Sequence, residues 1–255
     1  HPKLTQNLNQ LNSEFQTIKH FSSSYVTIEG IISSQCGTMI PMDAGNNTFL
    51  NNGALMANMP CLGDILHAAG YQQHYLGGAI MEFAGKGMFF ENHGYNTVQG
   101  WEHWRTVGYK HDKGVWGLSD VSLFEEALTT IKKAAKNPPY NVTMLTLGTH
   151  LPGLIYQGCE PYPESDEQFL NAIYCTDHLV GDFVRALQAE QLLDDAVLMI
   201  VADHGLFPTP KMKELFGDVV DDRKLIAITN YDKQKSDLPM AGYDLAPTLL
   251  DMLEI

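Results

Sequence analysis

The sequence predicts an α/β fold in which helices cover both faces of a mostly parallel central sheet. Three nearly uninterrupted apolar runs indicate buried strands: "NVTMLTLGTH" (141–150), "AVLMIVADHG" (196–205) and "KLIAITN" (224–230). Helical patterns lie between or before them, over 119–139 and over about 165–190. Apolar strands that alternate with helices are typical of parallel sheets that are buried on both faces.

The remaining elements follow from local patterns. Apolar residues spaced three or four positions apart predict an amphipathic helix over residues 4–15. Ser119 is the predicted N-cap of a later helix, which the pair Pro138-Pro139 ends. The other expected elements are a helix at 61–71 that ends near Gly70, a short strand at 72–79 before a glycine-rich loop, a surface excursion at 206–224 and a closing helix at 243–253.

Length and charge limit the class of protein. The 255 residues are 44% hydrophobic, so we expect one large globular domain over 1–255 with a sizeable core. The formal net charge of -14 argues against a nucleic-acid backbone or an anionic membrane surface as the main partner. No apolar run of about 18 residues predicts a membrane span. Because the chain begins at His1 without a signal peptide, we interpret it as a mature or excised domain.

The chain has four cysteines: Cys36, Cys61, Cys159 and Cys175. None forms a Cys-x-x-Cys pair, which argues against a structural zinc site. Two sequence-local pairs fit two disulfides, Cys36–Cys61 and Cys159–Cys175, although four cysteines permit three connectivities. The alternative is four buried free thiols in a cytosolic protein.

Polar residues follow two of the predicted buried strands. Thr149 and His150 follow the first, and Asp203-His204-Gly205 ends the second. Because ligands bind at the carboxyl ends of strands in such sheets, we expect these residues on one rim. A carboxylate next to an imidazole suits a divalent ion of the zinc or manganese type. The alternative is an aspartate that caps the next helix beside a surface histidine.

Two other side chains suit an anionic ligand. As a neutral imidazole, His150 can hydrogen-bond a phosphate oxygen or protonate a leaving group; the alternative is an ordinary loop histidine. Lys86 is a lone cation between two glycines, which let the backbone approach a ligand that the ammonium would balance. The alternative is a solvated loop lysine.

Thr27 precedes a segment rich in small residues, "IEGIISSQCG" (28–37). It is either a helix N-cap, with Glu29 in the first turn complementing the helix dipole, or a nucleophile. As a nucleophile its hydroxyl would need a metal or a base to become an alkoxide, and the helix N-terminus would help to hold an anion.

Taken in order along nearly the whole chain, these motifs resemble one family. "PKLTQNLNQLNSEF", a candidate nucleophile at a helix N-terminus and a late "DHG" resemble the sulfatase/alkaline phosphatase superfamily. The chain is more narrowly similar to the membrane-anchored phosphoglycerol transferases that modify periplasmic glucans and to lipoteichoic acid synthase. The segments that carry this narrower resemblance are "YVTIEGIISSQCG", "CLGDILHAAGY", "GGAIMEFAGKGMFFENHGY", "WGLSDVSLFEEAL", "LTLGTHLPG" and "YCTDHLVGDFVRAL".

The resemblance implies an alkaline phosphatase/sulfatase-like fold and a set of site residues. It implies Thr27 as the nucleophile and a divalent ion, Mn²⁺ first and Zn²⁺ or Mg²⁺ as alternatives, held by Thr27, Asp203 and His204. It implies that His150 contacts a phosphoglycerol group, and Lys86 falls where relatives carry a basic side chain. It also implies a periplasmic or extracytoplasmic domain of a membrane-anchored protein.

The family's first strand, which carries an acidic metal ligand, should precede "PKLTQNL", where this chain has only His1. We therefore expect a domain that lacks this first strand and any N-terminal membrane helices. The nearest substitutes for the missing acid are Glu29 and Asp43. A site without this carboxylate would bind a divalent ion less tightly.

The expected reaction moves phosphoglycerol from a phosphatidylglycerol-type lipid to a glycan hydroxyl through a phosphothreonine on Thr27. The alternatives on the same scaffold are a phosphodiesterase and a phosphoethanolamine transferase. A sulfatase is disfavoured because Thr27-Ile28-Glu29-Gly30 stands where a Cys-x-Pro-Ser-Arg-type segment is expected. The alternative from another class is a catalytically silent domain that binds a glycan or a lipid head group.

Overall fold

The computed structural model describes residues 3–22, 24, 26–39, 56–111, 116–222, 224–231 and 240–255. The predicted substitute ligand Asp43 lies outside these residues. Nine α-helices are assigned within the described part of the chain: α1 Gln6–Glu14, α2 Thr27–Cys36, α3 Leu62–Ala68, α4 Lys86–Asn92, α5 Trp101–Thr106, α6 Asp120–Ala134, α7 Gln168–Ala189, α8 Pro210–Phe216 and α9 Leu245–Met252. The strands are β1 Gln16–Phe21, β2 Gln72–Gly77, β3 Thr97–Gln99, β4 Tyr140–Leu145, β5 Met199–Val201, β6 Lys224–Thr229 and β7 Met240–Ala241.

The described strands form two hydrogen-bonded sheets, with strand orders β3-β2-β4 and β5-β6-β1-β7. The first sheet is parallel throughout, and β1 is parallel to β7. Strand β6 is antiparallel to both of its neighbours, β1 and β5. The predicted α/β class is confirmed. Strand β1 was not predicted, because polar and apolar residues are mixed in its six positions and form no hydrophobic run.

Alternate residues of β2 and β4 face opposite layers of helices. Leu76 packs in one cluster with Val142 and Met144, and Phe183 of α7 packs against that cluster. Tyr75 lies in a different cluster, which contains the isoleucines of α2 and has Leu145 packed against it. Because side chains alternate along a strand, α7 and α2 cover opposite faces of this sheet. Helices therefore lie on both faces, as predicted.

Helix α7 connects the two sheets. Its Phe183 packs near β4, whereas its Val184 packs in a cluster with Ile228 of β6 and next to Ile200 of β5. Asp177 of α7 also accepts hydrogen bonds from the backbone amides of Asn7 and Leu8 at 2.9 and 2.8 Å, which ties the first turn of α1 to α7. Helix α7 thus packs against β4 of one sheet and against β5 and β6 of the other.

Strands β4 and β5 each have one open edge within the described residues. There β4 pairs with β2 and β5 pairs with β6, and neither has a second partner. All six residues of β4 are half-buried rather than buried, although the strand is a central apolar run in the sequence. A pair of open strand edges above a shared helix leaves backbone donors and acceptors available for another strand.

Two further sequence expectations have clear outcomes. The predicted surface excursion at 206–224 is wrong in part, because it contains α8, whose Met212 is buried in a cluster with Phe169 and Val220. Thr209 caps this helix and Pro210 is its first residue, a local start signal. None of the described helices combines the length and the hydrophobicity that crossing a bilayer requires.

Candidate active site

Thr27 is the first residue of α2. Val26 precedes the helix with extended φ and ψ values of -139° and 158° and makes no side-chain cap. The N-cap interpretation of Thr27 is therefore wrong, because Val26 occupies that position. Glu29, in the first turn, is buried. A helix start without a side-chain cap presents backbone N–H groups that favour an anion.

Asp203 and His204 follow β5, which ends at Val201, after one intervening residue. The ring of His204 contacts the carbonyl oxygen of Gly205 through Nδ1 at 2.7 Å. Since a carbonyl oxygen only accepts, Nδ1 carries the proton and Nε2 keeps its lone pair. Nε2 lies 3.7 Å from Oδ2 of Asp203. Two atoms bound at about 2.1 Å to one tetrahedral ion lie about 3.4 Å apart, so this pair fits two ligands of a divalent ion.

Helix α2 lies directly against this pair. A Cβ placed on Gly30 would lie 2.8 Å from the carbonyl carbon of Asp203 and closer still to its oxygen. Thr27 precedes Gly30 by three residues and therefore lies on the same side of the helix. The helix face that carries Thr27 therefore lies on the side of α2 that packs against Asp203.

Lys86 is buried, which contradicts the interpretation as a solvated loop lysine. Only 3% of the residue is exposed, and its Nζ donates a hydrogen bond to the carbonyl oxygen of Phe83 at 3.1 Å. Nζ also lies 5.0 Å from the centre of the Phe83 ring. Burial lowers the pKa of Lys86 from 10.5 to about 8, and the nearby charge of Glu102 opposes this shift. A buried ammonium that contacts a carbonyl and a ring favours an anionic ligand.

An aromatic bridge joins Lys86 to His150. The ring of Phe83 lies 6.3 Å from that of Trp116, and the ring of Trp116 lies 5.2 Å from that of His150 in an edge-on contact. Phe83 and Trp116 are both exposed, so they form an apolar surface between the two polar groups. Neither residue was predicted from the sequence, although each lies within one of the family-like segments.

Asp120 fixes the loop that carries His150. Its carboxylate accepts hydrogen bonds from the backbone amides of Leu147 and Gly148 at 2.8 and 2.7 Å. Burial raises the pKa of Asp120 from 3.8 to about 6, and the two amide bonds limit this shift. Asp120 was not predicted from the sequence either, because its role depends on a contact across more than twenty residues.

One hydrophobic cluster links the two halves of the site. Ile28 of α2, Tyr75 of β2 and Ala84, which precedes Lys86, belong to this cluster. Val26 and Leu145 pack against it from the helix start and from the end of β4. The N-terminus of α2, the segment that leads into α4 at Lys86 and the end of β4 therefore meet around one core.

Both predicted disulfides are present, Cys36–Cys61 and Cys159–Cys175. The first joins the last residue of α2 to the residue before α3. The second joins the loop at 159 to α7. The alternative of four free thiols is wrong for this structure, in which no cysteine is free among the described residues.

Comparison with known proteins agrees with this architecture. The sulfatase family model matches residues 1–255. A phosphoglycerol transferase I from Xanthomonas campestris pv. campestris is 33% identical over 224 residues, which cover 81% of this chain and 31% of that protein. The chain thus spans about a third of the length of such relatives.

Two solved structures share the fold. The lipoteichoic acid synthase LtaP from Listeria monocytogenes has a TM-score of 0.79 and 16% identity, over 99% of this chain and 66% of that one. The Streptococcus pyogenes phosphoglycerol transferase GacH, in complex with sn-glycerol-1-phosphate, has a TM-score of 0.61 and 13% identity. This match covers 97% of this chain and 67% of that one. The match of the family model over the whole chain, together with this fold, shows that the chain belongs to the sulfatase family.

Proposed function

We propose that this chain is the catalytic domain of a metal-dependent phosphoglycerol transferase. The observation that carries the proposal is the packing of Gly30 on Asp203. In this proposal the Thr27 face of α2 meets Asp203 and His204, which would bind a divalent ion together. The similarity to a phosphoglycerol transferase supports phosphoglycerol as the transferred group. The missing Cys-x-Pro-Ser-Arg-type segment argues against sulfate ester hydrolysis.

Thr27, Asp203 and His204 would hold the ion, with Mn²⁺ as the first choice. When bound, the ion would acidify the Thr27 hydroxyl and offset negative charge on the phosphoryl oxygens. The fourth ligand of the ion would be an acidic side chain. We place it on a strand that would pair with β4 on one side and with β5 on the other, at the edges that are open among the described residues. A Glu29→Gln variant with unchanged Mn²⁺ affinity would support this placement, and a loss of affinity would assign the ligand to Glu29 instead.

The reaction has two displacements at phosphorus. The Thr27 oxygen forms a bond to the phosphorus of a phosphatidylglycerol-type head group, and the bond from phosphorus to the diacylglycerol oxygen breaks. Diacylglycerol takes up a proton and leaves, and phosphoglycerol remains on Thr27. The hydroxyl of a glycan acceptor then attacks phosphorus, releases Thr27 and loses its proton.

The other half of the site recognises the phosphoglycerol group. The Lys86 ammonium pairs with a non-bridging phosphate oxygen, and His150 donates to a second oxygen or to the leaving group. The exposed rings of Phe83 and Trp116 cover the glycerol carbons between them. In this proposal the domain acts on the extracytoplasmic side of a membrane and is anchored there by other parts of the full protein.

The proposal is tested by release of labelled diacylglycerol from fluorescent phosphatidylglycerol in the presence of Mn²⁺. We expect Thr27→Ala to abolish release, Thr27→Ser to retain part of it, and Thr129→Ala, at an exposed position of α6, to leave it unchanged. Full release by Thr27→Ala would refute the nucleophile. Parallel assays with phosphatidylethanolamine and with a soluble phosphodiester separate the alternatives, and binding without turnover of any substrate would favour a silent binding domain.

A further inference from the structure

The first disulfide lies beside a buried histidine that the reaction does not use. His93 is 1% exposed, and its Nε2 lies 3.7 Å from the sulfur of Cys61. The two sulfurs of Cys36 and Cys61 and a ring nitrogen of His93 all lie within 4.8 Å of one another. The sequence argued against a zinc site because it has no Cys-x-x-Cys pair, but folding supplies the third ligand from a residue far along the chain.

A carboxylate already orients His93 as a metal ligand. Nδ1 of His93 lies 2.7 Å from Oδ2 of Asp64. An ionised carboxylate only accepts, so Nδ1 carries the proton and the lone pair of Nε2 faces the sulfur of Cys61. Histidines that bind zinc usually donate their other N–H to a carboxylate or carbonyl in this way, which fixes the ring and its tautomer.

The distances match zinc once the disulfide opens. A tetrahedral Zn²⁺ with bonds of about 2.3 Å to sulfur and about 2.0 Å to nitrogen places these two atoms about 3.5 Å apart. The observed distance of 3.7 Å between Cys61 and His93 needs almost no change. The two sulfurs must separate, and the Cys36 sulfur starts within 4.8 Å of a ring nitrogen of His93. Two thiolates and one imidazole select Zn²⁺ over Mn²⁺ or Mg²⁺, which prefer oxygen ligands.

We propose that the reduced protein binds one Zn²⁺ through Cys36, Cys61 and His93, with Asp64 as the positioning residue of His93. A dithiol reductant transfers two electrons and two protons to the disulfide, which gives two protein thiols and an oxidised, cyclic reductant. Zinc binding then releases the two thiol protons. The disulfide and the zinc complex are alternative states, and each ties the end of α2 to the start of α3.

This site is independent of the proposed reaction. Its ligands are sulfur and nitrogen, whereas Thr27, Asp203 and His204 offer oxygen and nitrogen. A thiolate bound to Co²⁺, which often substitutes for Zn²⁺, has a charge-transfer absorption that the oxygen and nitrogen site cannot produce. His204→Gln should therefore leave this absorption unchanged, and failure of one proposal does not decide the other.

The test is a Co²⁺ titration of the whole chain with and without a phosphine reductant. We expect the thiolate absorption only after reduction, at one Co²⁺ per chain, and its loss when Zn²⁺ displaces the cobalt. His93→Gln should weaken Zn²⁺ binding at least tenfold and Asp64→Asn by roughly 10–100-fold. His67 is an exposed histidine of α3, and the matched control His67→Gln should leave Zn²⁺ binding unchanged.

Near-ultraviolet circular dichroism shows whether the reduced chain stays folded. If it does, the absence of the cobalt absorption overturns the proposal, as does a His93→Gln variant that binds Zn²⁺ as tightly as the wild type. If reduction unfolds the chain, we expect Zn²⁺ to restore the native spectrum in the wild type and not in His93→Gln. Failure of Zn²⁺ to restore it also overturns the proposal.

Discussion

Gly30 of α2 contacts the backbone of Asp203 so closely that no side chain fits between them. A Cβ on Gly30 would lie 2.8 Å from the carbonyl carbon of Asp203 and 3.1 Å from its Cα. Asp203 contributes backbone atoms to this contact, so it cannot rotate away as a side chain could. This contact sets the distance between the proposed nucleophile and its proposed metal ligands.

Gly30→Ala should therefore damage activity more than stability. We expect a loss of about 1–3 kcal/mol in the free energy of unfolding from overpacking, and a fall on the order of 100-fold in lipid cleavage as α2 shifts. Chemical denaturation and the labelled-lipid assay measure the two effects. Ser34→Ala, which adds no atoms to the same helix, should change either quantity little. Normal cleavage by Gly30→Ala would show that this spacing is not critical.

Lys86 should make substrate recognition depend on pH. The pKa of its ammonium is lowered to about 8, so in the free enzyme the charge is lost as pH rises through 8. We expect kcat/KM to decline above pH 8 in the wild type. Lys86→Gln should lower kcat/KM and remove this decline. Lys136→Gln, at an exposed position, serves as the control, and an unchanged decline in Lys86→Gln would contradict the assignment.

The same burial has a cost in stability. The unfolded chain keeps the ordinary pKa of 10.5, so between pH 8 and 10.5 it binds more protons than the native protein at Lys86. The contribution of Lys86 to the free energy of unfolding therefore rises with pH over this interval. Lys86→Met should remove this rise and stabilise the protein at pH 7 by roughly 1–3 kcal/mol. Urea unfolding at pH 7 and pH 10 measures both effects, and a Lys86→Met variant that is destabilised at pH 7 would contradict this account.

Some parts of the fold and of the candidate site could be predicted from the sequence, and others could not. The helix that starts at Thr27 and the strand that precedes Asp203 follow from local patterns, so their places were predictable. Phe83 and Trp116 are brought together by packing between distant segments, which no local pattern encodes. Strand β1 was missed because it forms between partners far along the chain rather than from its own hydrophobicity.

Asp120 should act on His150 through the loop between them. Asp120→Asn replaces one acceptor by an NH₂ group that faces the amide of Leu147 or Gly148. We expect a loss of about 1–3 kcal/mol in the free energy of unfolding at pH 7 and a lower kcat. Asp218→Asn, an exposed aspartate, is the control. Wild-type kcat in Asp120→Asn would show that His150 does not depend on this anchor.

Titration of Asp120 adds a second measurement. Its native pKa of about 6 lies above the ordinary 3.8, so the native protein binds more protons between these values. The stabilising contribution of the protonated group is complete below pH 3.8 and is lost as pH rises through 6. The stability advantage of the wild type over Asp120→Asn should therefore decrease as the pH rises from 4 to 6. A difference that is constant across this range would contradict the assigned pKa.

The buried hydroxyl of Tyr75 provides the last prediction. Among the described residues, no group forms a hydrogen bond with this hydroxyl, although the residue is fully buried. Tyr95 is similarly buried, but its hydroxyl hydrogen-bonds Thr143 and Asn141 at 2.7 and 3.2 Å. A buried polar group without a partner costs free energy, whereas a paired one does not.

We therefore expect opposite results from the same chemical change at these two tyrosines. Tyr75→Phe should raise the free energy of unfolding by about 1 kcal/mol. Tyr95→Phe should lower it by about 1–2 kcal/mol, because it removes the hydrogen bonds of the Tyr95 hydroxyl with Thr143 and Asn141. Urea unfolding of the two variants and the wild type measures this directly. A loss of stability in Tyr75→Phe equal to that in Tyr95→Phe would show that the Tyr75 hydroxyl has a bonded partner.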